Sequence, residues 1–507
     1  MSFGIPSNMG CATRLRIMHS AITRSSWQIG RSNSILQIWK RLRMSLNFRR
    51  GVQSLLTLPF RKTLESQETF ESGTKIRHYL RENGQEKSRI HLRLDPGGEG
   101  TLIVNASSVM RLNPTAAFMA WLILEGTEEK KAVKALRDRY RVPEKQARED
   151  YSSFILHFSS LTDGACPIHE LELDAVMPFS ARPTAPYRMD LAITYRCNND
   201  CAHCYNARAR NFPELTTEQW FGVLDQLWDL GVPHIVFTGG EATLRNDLPA
   251  LIRHAEANGQ ITGLNTNARR LMDMDYVKEL VDAGLDHVQI TVESCVPEIH
   301  DEMMRAKGAF RQTIAGVNNV LRSPLYVMTN TTMLRTNVHT IPATLDFLAD
   351  LGVPTVGLNA LIYSGSGLTV GTGLRESELQ PILNIATQKT GQRGQRLIWY
   401  TPTQYCEFDP TANNLGVKGC TAALYSMCIE SNGNVLPCQS YYHPLGNILT
   451  DSWDSIWNHK LSVQLRERQS LPAKCEGCPV VAECGGGCPL TAEGYRKENL
   501  VNLPVVH

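Results

Sequence analysis

Long apolar runs are missing from the 507 residues. No stretch of about 18 apolar residues occurs, so no helix that spans a bilayer is expected. A dominant charge is missing too. The formal net charge is +2, and bulk electrostatics gives no reason to expect a nucleic-acid partner. Acidic residues are absent before Glu65, while eleven basic residues run from Arg14 to Lys62. Serines are frequent there, which is the composition of a transit peptide or a surface-binding arm. A start codon read too early, with Met18 or Met44 as the true start, is the plainer reading and the preferred one. Either way residues 1–87 form a basic segment in which little packed structure is expected. Cysteine is also absent after Cys488, a gap that matters below.

What is present is typical of a soluble globular chain: 42% hydrophobic and 20% charged residues. The length exceeds one ordinary core, so two to four domains are expected. The fourteen cysteines fall mostly into short regular spacings, which favours metal over disulfides. Cys11, Cys166 and Cys295 stand apart and read as buried or incidental thiols.

Four further segments follow the basic one. In 88–165, "IHLRLDPGGEGTLIVN" reads as two alternating strands around a turn at Asp95-Pro96-Gly97-Gly98. Asn113 as N-cap and Pro114 at the first helical position open a helix that closes at Gly126. Two more helices are expected, Glu128 to Tyr140 and from near Pro143 through Tyr151, Phe154, Ile155 and Phe158. A Pro-rich linker, 166–188, contains "MPFSARPTAPYR". In 189–375, apolar strands alternate with helical patterns: "MDLAITY", "HIVFTGG", "ITGLNTN", "HVQITVE", "YVMTNTTML" and "TVGLNALIY". The expected fold class is α/β, a partial (β/α)6 TIM-like barrel with right-handed crossovers. His234 and His287, each at a strand start, read as structural histidines. The last segment, 376–507, is rich in Cys, Gly and Pro and poor in core-forming residues, so metal is expected to staple it.

The sharpest local signal is "TYRCNNDCAHCYN", which sets Cys197, Cys201 and Cys204 in C-x3-C-x2-C spacing just after the first barrel strand. Barrel active sites lie at that end of the strands. A structural zinc site wants four closed ligands. Three thiolates in one loop suit a [4Fe–4S] cluster with one iron left open. On chemistry alone both remain, with the cluster favoured.

These residues resemble the radical S-adenosylmethionine (SAM) superfamily. The resemblance implies that the open iron is chelated by the amino and carboxylate groups of SAM. It also implies cleavage to methionine and a 5′-deoxyadenosyl radical, which abstracts hydrogen from substrate. "FTGGEA" resembles the family's GGE motif, so Gly239, Gly240 and Glu241 would receive the methionine amine. His203 holds the position where the family packs the adenine. Thr291 and Glu293 in "VQITVES" stand where a Ser-x-Asp pattern would bind ribose. Arg305 in "IHDEMMRAKGAF" matches the arginine that approaches the SAM carboxylate. The glycines of "YSGSG", Gly365 and Gly367, fit a plain turn as well as a SAM contact.

The C-terminal cysteines resemble the SPASM extension with its auxiliary [4Fe–4S] clusters. Cys420, Gly433 and Cys438 give C-x12-G-x4-C; Cys475, Cys478, Cys484 and Cys488 give C-x2-C-x5-C-x3-C. A zinc ribbon is the rival for the second run. The resemblance implies one or two auxiliary clusters. The first would use Cys420, Cys438 and Cys488, with Cys428 as fourth ligand. The second would use Cys475, Cys478 and Cys484. The family's pattern has a seventh cysteine downstream, which this chain lacks. Glu493, an open iron or the spare Cys406 are the substitutes considered.

Residues 88–161 resemble the PqqD-like peptide-recognition domain, a winged helix that captures a leader peptide by strand addition. Together the parts suggest a peptide maturase that modifies a ribosomally made precursor. The alternatives are a SPASM enzyme acting on a whole protein, as sulfatase-maturing enzymes do, or on a porphyrin precursor, and more remotely a non-catalytic metal-binding module. A flavodoxin or ferredoxin is the implied electron donor. Thiolate clusters need a reducing compartment, which points to the cytoplasm.

Overall fold

The computed structural model describes residues 61–62, 76–83, 86–162 apart from 96, 106 and 107, and 183–501 apart from 209 and 470. Cys11, Cys166, most of the linker and most of the basic segment lie outside the described residues.

The front of the chain builds a five-stranded antiparallel sheet in simple order: β1 (Arg61–Lys62), β2 (Ile76–Asn83), β3 (Glu86–Leu94), β4 (Gly100–Val104) and β5 (Ser108–Leu112). The expected β3–β4 hairpin is there, with Leu94 opposite Gly100. Gly98, at φ +80°, donates to Asp95 O across its turn at 2.9 Å. The sheet also begins earlier than position 88, because β2 pairs with β3 along its whole length. Ile76 and Tyr79 of that strand are buried.

Strand periodicity puts alternate side chains on opposite faces. Ile90 and Leu92 of β3 meet Leu102, Met110, Leu112, Ala117 and Phe158 under the helices. The helices are Pro114–Leu124, Glu129–Tyr140 and Glu144–Thr162. Asn113 caps the first, accepting from Ala116 N at 2.8 Å. The other face of β3 carries Arg89, His91 and Arg93, all buried. Arg89 pairs with Asp286 at 2.8 Å and also with Glu256. His91 Nε2 lies 2.7 Å from Gly259 O. Arg93 donates to Ala185 O at 3.0 Å and Gly231 O at 3.3 Å. This polar face therefore seats the front sheet on the barrel.

The barrel strands β6 (Arg188–Thr194), β7 (His234–Gly239), β8 (Ile261–Thr266), β9 (His287–Thr291), β10 (Tyr326–Thr332) and β11 (Thr355–Asn359) are all parallel neighbours. The six expected strands are all present. Two short strands extend the sheet: β12 (Arg396–Trp399) beside β11 and β13 (Ser426–Ile429) parallel to β6. Both come from the segment assigned to the cysteine-rich region. β14 (Asn434–Leu436) and β15 (Gly446–Asn447) complete ten strands as antiparallel additions. Helices cover the barrel. Helix Thr217–Asp229 opens on a Thr216–Gln219 capping box and buries Trp220, Val223, Leu224 and Leu227. Among the described residues no helix is long and apolar enough to cross a membrane.

His234 and His287 lie at the N-terminal ends of β7 and β9, rings 5.1 Å apart. They are thus at the end of the sheet opposite the cysteine loop. Burial pushes the imidazoles of His91 and His287 down to about 4. Their unfolded value is about 6.5, so the unfolded chain binds more protons between those limits. Stability should be complete above pH 6.5 and fall as pH drops toward 4, by roughly 3 kcal/mol for each of these histidines. Urea unfolding at pH 7.0 and 4.5 measures this, and His91→Gln should show a shallower loss. An unchanged dependence in that variant would contradict the assignment.

Candidate active site

Cys197, Cys201 and Cys204 occupy the loop that leaves β6, and the loop's own backbone is tied down by four others. Gly240 N donates to Thr194 O and Glu241 N to Arg196 O, each at 2.8 Å. Asp200 N donates to Met304 O at 3.2 Å, Ala202 N to Met303 O at 2.9 Å, and Ser366 N to Cys204 O at 2.9 Å. Asn267 Nδ2 reaches Asn198 Oδ1 at 2.7 Å, and Arg269 reaches Asn199 Oδ1 at 2.7 Å and Asn198 O.

The glycines of the GGE motif serve this clamp. A Cβ at Gly239 would collide with the Thr194 carbonyl oxygen, and one at Gly240 with those of Arg196 and Tyr195. Gly239 also has φ +129°. Gly365 packs against the Cys204 and Tyr205 carbonyls in the same way, so the "YSGSG" turn also braces the loop. Glu241 is buried and its carboxylate is held by its neighbours. Oε1 accepts from Thr243 N at 3.2 Å and from the Thr243 and Thr266 hydroxyls at 2.7 Å each; Oε2 accepts from Asn267 N at 2.8 Å.

One cavity of about 810 Å³ opens at this end of the barrel. Its wall carries Cys197, Cys201, His203, Cys204, Gly239, Gly240, Glu241, Thr291 and Glu293, and also Cys420, Cys438 and Cys488. His203 Nε2 lies 3.0 Å from Glu293 Oε1, and Glu293 Oε2 accepts from Thr332 N at 2.7 Å. Arg188 and Asp190, paired at 2.7 Å, line it as well; sequence reasoning did not single them out. Arg305 is not on this wall. It is more than half exposed and pairs with Asp200 at 3.8 Å, while its neighbour Met304 lines the cavity and touches Cys201 Sγ at 3.3 Å.

Lining residues that keep a buried polar atom without a hydrogen-bond partner include His203 Nδ1, Asn330 Oδ1 and Asn359 Oδ1. Buried atoms of that kind normally meet ligand or water, so the wall suits a polar ligand.

The C-terminal cysteines divide into two groups. The Cys420 thiol is pushed up to about 12 by burial and then by Cys488; Cys438 is pushed up to about 12 by burial, then Cys420 and Cys488. These three share one wall of the cavity. Cys428 lies behind them on β13. It packs with Ala192 and Leu436 and is raised by burial, by Asp190 and by Cys438. The other group holds Cys475, Cys478 and Cys484. Gly485, Gly486 and Gly487 run consecutively at φ +63°, +79° and +78°. That left-handed stretch turns the chain between Cys484, beside Tyr405, and Cys488, on the cavity wall.

Crowded buried thiols resist ionisation, and a bound positive centre is what makes them thiolates. An all-sulfur donor set fits iron–sulfur chemistry. Among the described residues no three His, Cys, Asp or Glu side chains are grouped as ligands of one metal ion. A four-iron cluster instead gives each thiolate its own iron.

Gly240→Ala should unseat the cysteine loop by driving Cβ into two backbone carbonyls. We expect a loss of about 3 kcal/mol or more in stability, read by denaturant unfolding. A change below about 0.5 kcal/mol would show that the loop is not clamped there.

Comparison with known proteins agrees with this geometry. Residues 191–359 match the radical SAM superfamily, 420–479 the SPASM iron–sulfur cluster-binding domain, and 93–160 the coenzyme PQQ synthesis protein D family. The chain is 28% identical over 335 residues to an Fe-coproporphyrin III synthase of Methanosarcina barkeri, covering 59% of this chain and 82% of that one. It is 29% identical over 315 residues to a PqqA peptide cyclase of Xanthomonas campestris, covering 60% and 82%. In fold it is similar to Streptococcus suis SuiB bound to its precursor peptide SuiA. There the TM-score is 0.59 at 18% identity, over 79% of this chain and 94% of that one. The chain is a radical SAM enzyme that carries a PqqD domain before its barrel and a SPASM domain after it.

Proposed function

We propose that this enzyme is a peptide maturase that abstracts hydrogen from a ribosomally made precursor captured by its PqqD domain. The observation that carries the peptide reading is the free edge of the front sheet. β5 is the outermost strand of that sheet, with no neighbour beyond it among the described residues. Val109 of β5 and Leu156 of the third helix are both exposed, at 46% and 44%. An open strand edge is the template an extended peptide uses to add a strand. The name of the Xanthomonas relative and the peptide bound to SuiB support the same substrate class.

At the barrel end, Cys197, Cys201 and Cys204 would hold a [4Fe–4S] cluster. When bound, that cluster supplies the electron that splits SAM into methionine and a 5′-deoxyadenosyl radical. The chain's own residues hold and orient. Gly239 and Gly240 keep the thiol loop in place. The backbone around Glu241, fixed by its four hydrogen bonds, would present acceptors to the methionine amine. His203, backed by Glu293, would pack the adenine, with Thr291 and Glu293 at the ribose. Arg305 has the least support among the proposed SAM contacts, given its exposure and its pairing with Asp200. Cys420, Cys438 and Cys488 would hold an auxiliary cluster on the opposite wall, with Cys428 as the proposed fourth ligand. A flavodoxin or ferredoxin is the proposed donor, and the cytoplasm the proposed location.

A second reading follows from the Methanosarcina relative, whose name gives a porphyrin product. It requires nothing of the β5 edge. The two readings separate on that edge. Val109→Lys together with Leu156→Lys should weaken binding of a precursor peptide encoded beside the gene at least tenfold. 5′-Deoxyadenosine formation without peptide should not change. Undiminished peptide affinity would contradict the strand-addition reading. Cys201→Ala, by contrast, should abolish 5′-deoxyadenosine formation under dithionite; retained cleavage would contradict the assignment of the loop.

A further inference from the structure

The second thiol group draws three sulfurs, Cys475, Cys478 and Cys484, from the C-terminal run. We infer that Cys406, upstream of the whole C-terminal run, is the fourth ligand of the second auxiliary cluster, together with Cys475, Cys478 and Cys484. The inference rests on the reading of the SPASM region as a two-cluster domain.

The turn at Thr403–Phe408 is wrapped onto this group. Tyr405, next to Cys406, donates its backbone N–H to Cys484 Sγ at 3.4 Å, and Thr403 O lies 3.6 Å from the same sulfur. The turn closes on itself through Glu407 N to Gln404 O at 2.8 Å and Phe408 N to Gln404 O at 2.9 Å. Beneath it, a Cβ on Gly487 would press on Gln404 N and on Thr403 C, so a glycine is needed there for the two segments to meet. Lys474, adjacent to Cys475, reaches Glu407 Oε1 at 3.4 Å, so the residues on both sides of Cys406 touch the second thiol group. The Cys475 thiol is pushed up by burial and then by its neighbours Cys484, Cys406 and Cys478. Four thiols from three short segments therefore converge, which is the donor number and type a closed cluster takes.

The carboxylates offer weaker alternatives. Glu493 is exposed and acts on Tyr441, which senses Cys438, Cys420 and Cys488. That places it with the first group. Glu483 is closer, preceding Cys484, and its Oε2 is buried without a hydrogen-bond partner. It is the proper control.

The test is anaerobic reconstitution of the full chain with iron and sulfide, with iron counting, Mössbauer spectra and thermal melting of each variant. Wild type should carry about twelve irons. Cys406→Ala should lose about four, or convert one cluster to a three-iron form with a new EPR signal after oxidation. Cys406→Ser should restore part of the loss. Cys478→Ala should match Cys406→Ala, and Glu483→Gln should match wild type. The eight irons remaining in Cys406→Ala would show that the variant has folded. Twelve irons and unchanged spectra in Cys406→Ala, or a loss in Glu483→Gln instead, would overturn the assignment. About eight irons in wild type, unaltered by Cys478→Ala, would overturn the two-cluster reading itself.

Discussion

Backbone resting directly on backbone is the constraint on which the site depends. The loop that carries Cys197, Cys201 and Cys204 is mostly polar, and Tyr195 is its side chain that packs on an apolar cluster. The loop is held by main-chain hydrogen bonds from the second barrel loop, from the segment at Met303–Met304 and from the turn at Ser364–Ser366. Such contacts require segments to approach within hydrogen-bond distance, and glycines at 239, 240 and 365 remove the Cβ atoms that would prevent it. Glu241 fits the same logic. Four donors fix its carboxylate, and the carboxylate in turn ties the loops after β7 and β8 together. Three thiols displayed on a rigid backbone leave one corner of a four-iron cluster free of protein, which is where a chelating ligand would enter.

A second constraint positions the front sheet. Its strand β3 is buried on both faces, one apolar and one basic. Arg89 would be costly to bury alone. Its guanidinium is met by Asp286 and Glu256 of the barrel, and His91 by a barrel carbonyl. Directional polar contacts of this kind fix orientation more than they add stability. The result is a PqqD domain with one face used for docking and the β5 edge left open among the described residues.

Much of this was legible from the chain itself. Strong periodicity and length revealed the six barrel strands, and Asn113-Pro114 marked a helix start that the structure reproduces. Spacing revealed the two cysteine motifs. β12 and β13 were missed because four residues, as in Arg396–Trp399, are too few to show a period. β2 was missed because its "IRHYLREN" reads as polar; His78 is buried against Gly259 of the barrel, and Arg77 over the Trp121 ring of the first helix. The role of the GGE glycines is also invisible in sequence. The glycines of a motif read as ligand-binding also make room for neighbouring carbonyls. Cys406 stood apart by fourteen residues from its nearest cysteine neighbour, and only the fold shows which group it joins.

The central claim is that the Cys197–Cys204 loop leaves one iron for SAM. Electron–nuclear double resonance on the reduced, reconstituted enzyme with SAM labelled at the amino nitrogen tests it directly. A hyperfine coupling from the labelled nitrogen to the cluster spin is the predicted result. A spectrum that SAM does not alter, with no coupling from the label, would contradict it.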